Sequence, residues 1–338
     1  MRNGIRLLLL GAALLGFLFL PACPWNHGGE GEGEGEGEGE GERDYRQDMR
    51  DFVQRISAYA KLAHPGFAII PQNGPELLTL SGEADGPLAS EYINAIDGVG
   101  REDLFFGYDD DNTPTPVGAR DYMLGFMNLA EAQGVQALVI DYCEDHTYMM
   151  NSYAWNEERG FVSFAADHRN LDNIPTFPEQ PYNRNADDVT ALADARNFLF
   201  LLEPSPFGSK EAFLHALAAS EYDLFIIDLF FYEESLTAAE VASLKTKPQG
   251  GARLVICYMS IGEAEDYRYY WQQGWSVGNP AWIVRENPDW EGNFTVRYWE
   301  PEWQDIILGS PDAYLDRILA AGFDGVYLDI IDAFEAFE

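Results

Sequence analysis

Short apolar runs recur along the chain, separated by longer stretches with helical spacing, and most runs end in a polar residue. In the front of the chain the runs are 67–71, 92–96, 137–141 and 161–164. Toward the back they are 198–202, 224–229, 254–260 and 325–330. Their length and their β-branched and aromatic content predict strands. The first helix is predicted over 45–63, with Met49, Phe52, Val53, Ile56, Tyr59 and Ala60 on one face. Further helices are predicted over 117–133, 210–219, 237–244 and 313–321. Strands alternating with helices make βα units and a parallel sheet. Four strands in each block supply the eight that an α/β barrel needs to close.

The order of the blocks is unusual. The last strand lies in Phe323-Asp324-Gly325-Val326-Tyr327-Leu328-Asp329-Ile330-Ile331-Asp332, an apolar strand that ends in acids. A barrel strand of this kind is expected to be followed by more barrel, and the remaining strands lie ahead of it, from Tyr45 to about Pro175. The fold class is therefore read as α/β, a (β/α)8 TIM barrel in circularly permuted order. Residues 45–175 form its second half, 176–196 a linker rich in Pro, Asn and Asp, and 197–338 its first half. The linker joins what are usually two free termini, which lie close together in compact domains. Two separate four-stranded domains are the alternative, but each would have open edges and a thin core.

The first 44 residues are read separately. Arg2 and Arg6 precede an apolar stretch from Leu7 to Leu20, too short to span a bilayer comfortably and suited to a signal peptide over 1–22. Leu20-Pro21-Ala22-Cys23 resembles a bacterial lipobox, which would put a lipid anchor on Cys23; an ordinary secretory signal with a chance Cys is the alternative. Pro24 follows where Asp would signal inner-membrane retention, so the outer membrane or cell surface is the expected location. A Gly-Glu repeat then runs to Glu42. It has nothing apolar to bury and its charges repel, so it is expected to be an extended acidic tether.

Charge removes one class of partner. With 57 acidic and 21 basic residues the formal net charge is −36, and nucleic acid, which needs a basic face, is excluded. Cationic ligands are favoured, although solubility or salt adaptation would give the same composition. Cys143 and Cys257 are read as small packing residues. No His or Cys cluster has ligand spacing, so neither metal nor cofactor is expected.

Candidate chemistry comes from the strand ends, which converge on one mouth in a barrel. Asp228, Asp329 and Asp332 end two back strands. Tyr258 and Ser260 share a face of a third, followed by Glu263, Glu265 and Arg268. In front, Gln72 and Asn73, Asp97 with Glu102 beyond it, and Asp141 with Tyr142 end three strands. A mouth rich in carboxylates suits glycoside hydrolysis, which needs one carboxylate nucleophile or base and one carboxylic acid. Each acid also has a plain structural reading. Asp141 and Asp228 would cap or orient neighbours, and Glu263 and Glu265 would pair with Arg268. The rings between the last two strands, from Tyr267 to Trp303, would form sugar platforms or a small core of their own.

Three back segments carry a resemblance: Cys257-Tyr258-Met259-Ser260-Ile261-Gly262-Glu263-Ala264-Glu265-Asp266-Tyr267-Arg268, then Asn293 to Trp303, then Gly322 to Asp332. With Ile70-Pro71-Gln72-Asn73-Gly74, Ile96 to Asp103 and Val139-Ile140-Asp141-Tyr142 in front, the sequence resembles glycoside hydrolase family 114, the endo-α-1,4-polygalactosaminidase family of (β/α)8 barrels. The family's strands five to eight come first here and its strands one to four last. The resemblance implies Asp329 as nucleophile and Glu102, in a loop beyond its strand, as acid/base. It implies Asn73, Asp97, Asp141, Tyr142, Asp228, Tyr258, Ser260, Glu263, Glu265, Arg268 and Asp332 as substrate-binding residues. It also implies a cationic amino-sugar polysaccharide as substrate. A hydrolase of another α-glycan and a non-catalytic glycan-binding lipoprotein are the rivals. A relative of aminoacyl-tRNA synthetases fails on the export signal and the charge.

Overall fold

The computed structural model describes residues 43–338. The expected signal peptide, Cys23 and the Gly-Glu run lie outside the described residues. Eight strands alternate with helices: β1 Ala68–Pro71, β2 Gly98–Glu102, β3 Gln136–Tyr142, β4 Val162–Ala166, β5 Leu199–Leu201, β6 Leu224–Ile227, β7 Leu254–Ser260 and β8 Gly325–Asp329. Parallel ladders join them in the order β5-β6-β7-β8-β1 and β2-β3-β4. A parallel bridge between Gln72 and Gly100 joins the two ladders. The bonds from Asn73 N to Gly100 O and from Asp97 N to Ile69 O, each 2.9 Å, complete the joint. This mixed α/β architecture around a parallel central sheet is consistent with a TIM barrel. Between β4 and β5 the contact is through rings, with Phe164 and Phe198 centroids 5.9 Å apart.

The front and back of the chain are knitted together. Ala68 to Pro71 pair in register with Gly325 to Leu328. Helix Tyr45–Ala63, capped by Asp44 on Gln47 N (2.9 Å), buries Met49, Phe52, Val53, Ile56 and Ala60. Its opposite face reaches the back block through Arg46 to Glu338, Arg55 to Gln304 and Tyr59 to Asp316. Such a seam leaves no open edge at β1 or β8.

One strand expectation is corrected. Residues 92–96 are not a strand; Tyr92 and Ile93 are the buried face of helix Ser90–Ala95. The strand of that unit is Gly98–Glu102. Two consequences follow for the site. Asp97 stands at the start of its strand, and Glu102 stands at the end of it. The other seven expected strands match observed ones to within a residue or two.

Strand parity fixes what fills the interior. The pairings Ile70 with Tyr327, Tyr327 with Tyr258, and Ile256 with Ile226 put these side chains on the inward face, with Phe200, Leu138, Ile140 and Phe164. All are buried, each contributing roughly 1.5–3 kcal/mol where the side chain is aliphatic or Phe. Gly100 is required here. A Cβ on it would stand 2.0 Å from the Tyr327 hydroxyl and 2.5 Å from its Cζ, because the Tyr327 ring crosses beneath β1 to reach β2. Gly100→Ala is expected to cost roughly 1–3 kcal/mol by overpacking. A denaturation midpoint equal to wild type would show that the ring can move aside. Cys143 and Cys257 are both buried free thiols, as the packing reading expects.

Candidate active site

The inward positions at the strand ends form the mouth: Asp329, Gln72, Glu102, Tyr142, Asp228, Tyr258 and Ser260. Asp329 ends β8, and its Oδ2 accepts from the Tyr258 hydroxyl (2.5 Å) on neighbouring β7. Its Oδ1 accepts from Ile330 N (2.9 Å). Ile330 is β-branched yet sits at φ 58°, in the left-handed region, an arrangement that costs energy and that only its surroundings can hold. One of those surroundings is Gly262, where a Cβ would lie 2.1 Å from Ile330 O.

Glu102 ends β2, with β1 between it and Asp329. Three side chains donate to it. The Tyr142 hydroxyl bonds Oε1, and Gln72 Nε2 (2.5 Å) and Asn73 Nδ2 (3.3 Å) bond Oε2. Asn73 Oδ1 also accepts from Glu102 N (3.4 Å). Asn73 adopts φ 61°, which Asn tolerates better than most residues. Tyr142 is itself fixed, because the Arg169 guanidinium lies 3.9 Å from its ring centroid. Arg169 is held by Asp103 (2.8 Å), Asp111 (2.5 Å) and Gly107 O (2.9 Å).

Burial against the barrel wall raises the Asp329 carboxyl to about 7; the Tyr258 hydroxyl opposes this and repulsion from Glu102 adds to it. The charge of one candidate catalytic acid, Glu102, is therefore felt at the other, Asp329. Asp103 is likewise raised to about 7, by burial and then by Glu102.

The remaining expected residues divide into three groups. Tyr142, Asn73, Tyr258 and Ser260 surround the two acids. Ser260 pairs with Asp329 across the ladder and its hydroxyl donates to Glu263 O (3.2 Å). A second cluster lies toward β6. Arg268, buried, bonds Asp228 (2.8 Å) and Glu265 (2.6 Å). Glu265 also accepts from the Tyr267 hydroxyl. Glu263 accepts from Asn287 Nδ2 (2.9 Å) instead of pairing with Arg268. Glu263 and Glu265 belong to a three-stranded antiparallel sheet with Asn293–Val296 and Ile283–Glu286, inserted between β7 and β8.

The third group stands away from the mouth. Asp97, expected at a strand end, is at the opposite end of β2. There it accepts from Ile69 N (2.9 Å) and pairs with Lys61 (2.9 Å). Asp141 has the parity opposite to Tyr142 and faces outward. Fully buried, it accepts from Phe105 N (2.8 Å), Phe106 N (3.2 Å) and Ser152 Oγ (2.6 Å), anchoring the loop after β2 to helix His146–Glu157. Both therefore brace the parallel sheet and do not line the mouth. Asp332 sits in the short helix Ile331–Ala336 after β8. Burial, then Glu335, raises it to about 7, and it adds a smaller repulsion to Asp329.

Sequence reasoning placed Gln72 at a strand end without giving it a role in binding or catalysis, and passed over Arg169 and Tyr327. Gln72 carries the same signal as its neighbours, a polar residue ending an apolar strand. Arg169 has none, since nothing local ties it to Tyr142. The aromatic segment mostly builds its own core: Trp282, Tyr298 and Trp303 are buried. Trp271, Trp275, Trp282 and Trp303 form a chain of ring contacts at 5.0–5.4 Å. Tyr267 and Trp290 remain exposed. Among the described residues no group of three His, Cys, Asp or Glu side chains is placed to hold a metal.

Burial of acids has a consequence for stability. Asp103, Glu131, Asp141, Asp228, Glu263, Asp329, Asp332 and Glu335 are all raised, in each case first by desolvation. Among the described carboxyls only Asp145 and Glu240, at helix N-termini, are lowered. A raised carboxyl holds its proton more tightly folded than unfolded. Its stabilisation is complete below the unfolded value near 3.8 and is lost as pH rises through about 7. The melting temperature is therefore expected to be higher at about pH 5 than at about pH 8. A flat or rising profile across that window would contradict the assignment.

Against known proteins, residues 207–338 match the model of glycoside-hydrolase family GH114. That segment contains Asp228, Arg268 and Asp329 but not Glu102. An uncharacterized protein of Deinococcus radiodurans is 47% identical over 128 residues, 38% of this chain and 39% of that one. One from Methanocaldococcus jannaschii is 39% identical over 180 residues, 52% and 48% of the two chains. One from Thermotoga maritima is 38% identical over 120 residues, 35% of each. The chain spans less than half the length of these curated relatives.

Proposed function

We propose, from the match of residues 207–338 to glycoside-hydrolase family GH114, that the chain is a member of that family and a retaining glycosidase of galactosamine-type polysaccharide. The observation that carries the reading is the pair Asp329 and Glu102. They end β8 and β2, one strand apart, face one mouth, and are each fixed by a tyrosine hydroxyl. Ionised Asp329 attacks the anomeric carbon and the glycosidic C–O bond breaks. Glu102 gives its proton to the leaving oxygen. Glu102 then takes a proton from water, the resulting hydroxide attacks the glycosyl ester, and Asp329 is released. This requires the carboxyls to come within roughly 5–5.5 Å when substrate is bound.

The choice of a cationic sugar rests on charge. Asp329, Glu102, Asp228, Glu265 and Glu263 outnumber Arg268 around the mouth, so free amines are attracted. A bound ammonium also favours the ionised form of Asp329, the form that attacks.

In ladder order the strands read β5 to β8 and then β1 to β4. We read this as one barrel closing between β4 and β5, with the family's halves exchanged. We further propose export, lipidation at Cys23 and display on the outer membrane or cell surface, with the tether holding the enzyme off the lipid.

The test is incubation of the full chain with partly de-N-acetylated α-1,4-polygalactosamine. Soluble oligosaccharides should appear, with new reducing ends first in the α configuration by NMR. First appearance of the β anomer would refute the retaining route, and no release would refute the substrate.

A further inference from the structure

Outside the mouth, beyond the ends of β6 and β7, a cavity of about 310 Å³ is lined by Phe230, Tyr232, Glu233, Tyr267, Arg268 and Tyr269. That is within the size range of small-ligand sites. We propose that it is a distal sugar subsite, holding a hexosamine unit of the polymer with its ring against Tyr232 and Tyr267 and its ammonium on Glu233. The identity of the occupant rests on the glycosidase reading above; the existence of a built site rests on the geometry here.

Tyr232 is the first observation. Phe230 pairs with Ser235 and Phe231 with Glu234, so Tyr232 and Glu233 are the two central residues of a tight hairpin. Tyr232 takes φ 55°. Hairpin turns reserve that conformation for Gly, Asn or Asp, and an aromatic residue there is strained. It is nevertheless 62% exposed, so its burial does not offset the strain. Its ring touches Phe231 edge-on at 5.0 Å.

Tyr267 is the second. It is 59% exposed, yet its hydroxyl is tied to Glu265 Oε1 (2.5 Å) and the Arg268 guanidinium lies 5.2 Å from its ring. An exposed ring held at its far end loses little entropy on binding and suits stacking against the apolar face of a sugar.

Charge is the third. Arg268 is neutralised by Asp228 and Glu265 together, so the floor of the cavity carries one negative charge in excess. Among the described residues no ion pair or hydrogen bond engages the exposed carboxylate of Glu233. A cation is what this cavity lacks. Arg268 also links it to Asp228 at the strand end, which places it on the same face as Asp329.

The experiment pairs a binding assay with the hydrolysis assay. Binding is measured by calorimetry in the Asp329→Asn chain, with a long de-N-acetylated galactosamine oligomer, its fully N-acetylated counterpart and galactosamine itself. Tyr232→Gly is expected to weaken binding of both long oligomers roughly five- to ten-fold. It should also raise the melting temperature by relieving the turn, a combination that a merely structural role for Tyr232 would not give. Tyr267→Ala should weaken binding similarly, and Tyr267→Phe, which keeps the ring but loses its tie to Glu265, should weaken it less. Glu233→Gln should weaken only the cationic oligomer, and less so at high salt. Hydrolysis by wild type with oligomer binding unmoved by Tyr232→Gly and Tyr267→Ala would overturn the subsite and leave the glycosidase reading standing. Binding that depends on both tyrosines without any hydrolysis would uphold the subsite and overturn the glycosidase reading. Absence of both binding and hydrolysis would overturn the two together.

Discussion

Asp329→Asn is expected to lower turnover of polygalactosamine by roughly 10⁴-fold or more, the range for loss of a nucleophile or a positioned proton-transfer group, while the protein becomes no less stable. The two halves of that result have one cause. Asp329 is held near 7 chiefly because the barrel wall strips water from its charge. A neutral amide of the same shape can still accept from Ile330 N through its oxygen and can donate through its nitrogen to the Tyr258 hydroxyl oxygen, and it does not need that water. The difference should therefore grow with pH: at about pH 8, where wild-type Asp329 is ionised, the variant should melt higher than wild type. Loss of activity with a lower melting temperature at that pH would mean that the substitution damages the fold, and the nucleophile assignment would lose its support.

The same environment fixes the shape of the wild-type pH profile. Attack needs Asp329 ionised, so kcat/KM, which reports the free enzyme, should rise through an apparent value near 7. With a cationic substrate bound, the ammonium stabilises the carboxylate, so the acidic limb of kcat should lie at lower pH than that of kcat/KM. A fully N-acetylated substrate has no ammonium, and with it the two limbs should coincide more closely.

Most of the framework was legible because alternation of apolar runs with helical stretches is a local property. Seven strands and Asp329 could be read from it. The failures share a cause. In Gly98-Val99-Gly100-Arg101-Glu102 only Val99 is a large apolar residue, so the strand reads as a turn. Its first two inward positions are glycines because Leu192 and Tyr327, both distant in sequence, occupy the space their side chains would fill. The apolar pair Tyr92-Ile93 beside it then draws the strand assignment one element too early. This misplaces Asp97 and makes Glu102 look like a loop residue. Asp141 illustrates a smaller error: adjacent residues on a strand cannot both face the mouth, and with Tyr142 inward Asp141 must brace the outside. Arg169 was beyond reach, since only the fold brings it to Tyr142.

The largest stability effect is expected at the opposite end of the parallel strands. Lys247 Nζ and Asp223 Oδ1 are 2.8 Å apart, and both side chains are wholly inaccessible. Asp223 also accepts from Asn185 Nδ2 (2.8 Å) and Arg196 N (2.9 Å), and Lys247 donates to Asn185 Oδ1 (3.1 Å). Residues 185 and 196 lie within the segment 176–196 that connects the two blocks, so this pair pins the connection beneath β6 and β7. Lys247→Ala leaves the Asp223 charge buried without its counter-ion. The expected cost is about 3–5 kcal/mol, a fall of roughly 10 °C in melting temperature for a chain of this size. The double change Asp223→Asn with Lys247→Met removes both charges and should recover most of that loss, because the penalty comes from the unpaired carboxylate and not from the missing attraction. Activity per folded molecule should survive, since the pair is at the N-terminal face and the carboxylates at the C-terminal face. A double variant as unstable as Lys247→Ala would place the energy in the packing of the lysine chain instead. Loss of activity in the still-folded single variant would mean that the connection beneath the barrel controls the spacing of Asp329 and Glu102 above it.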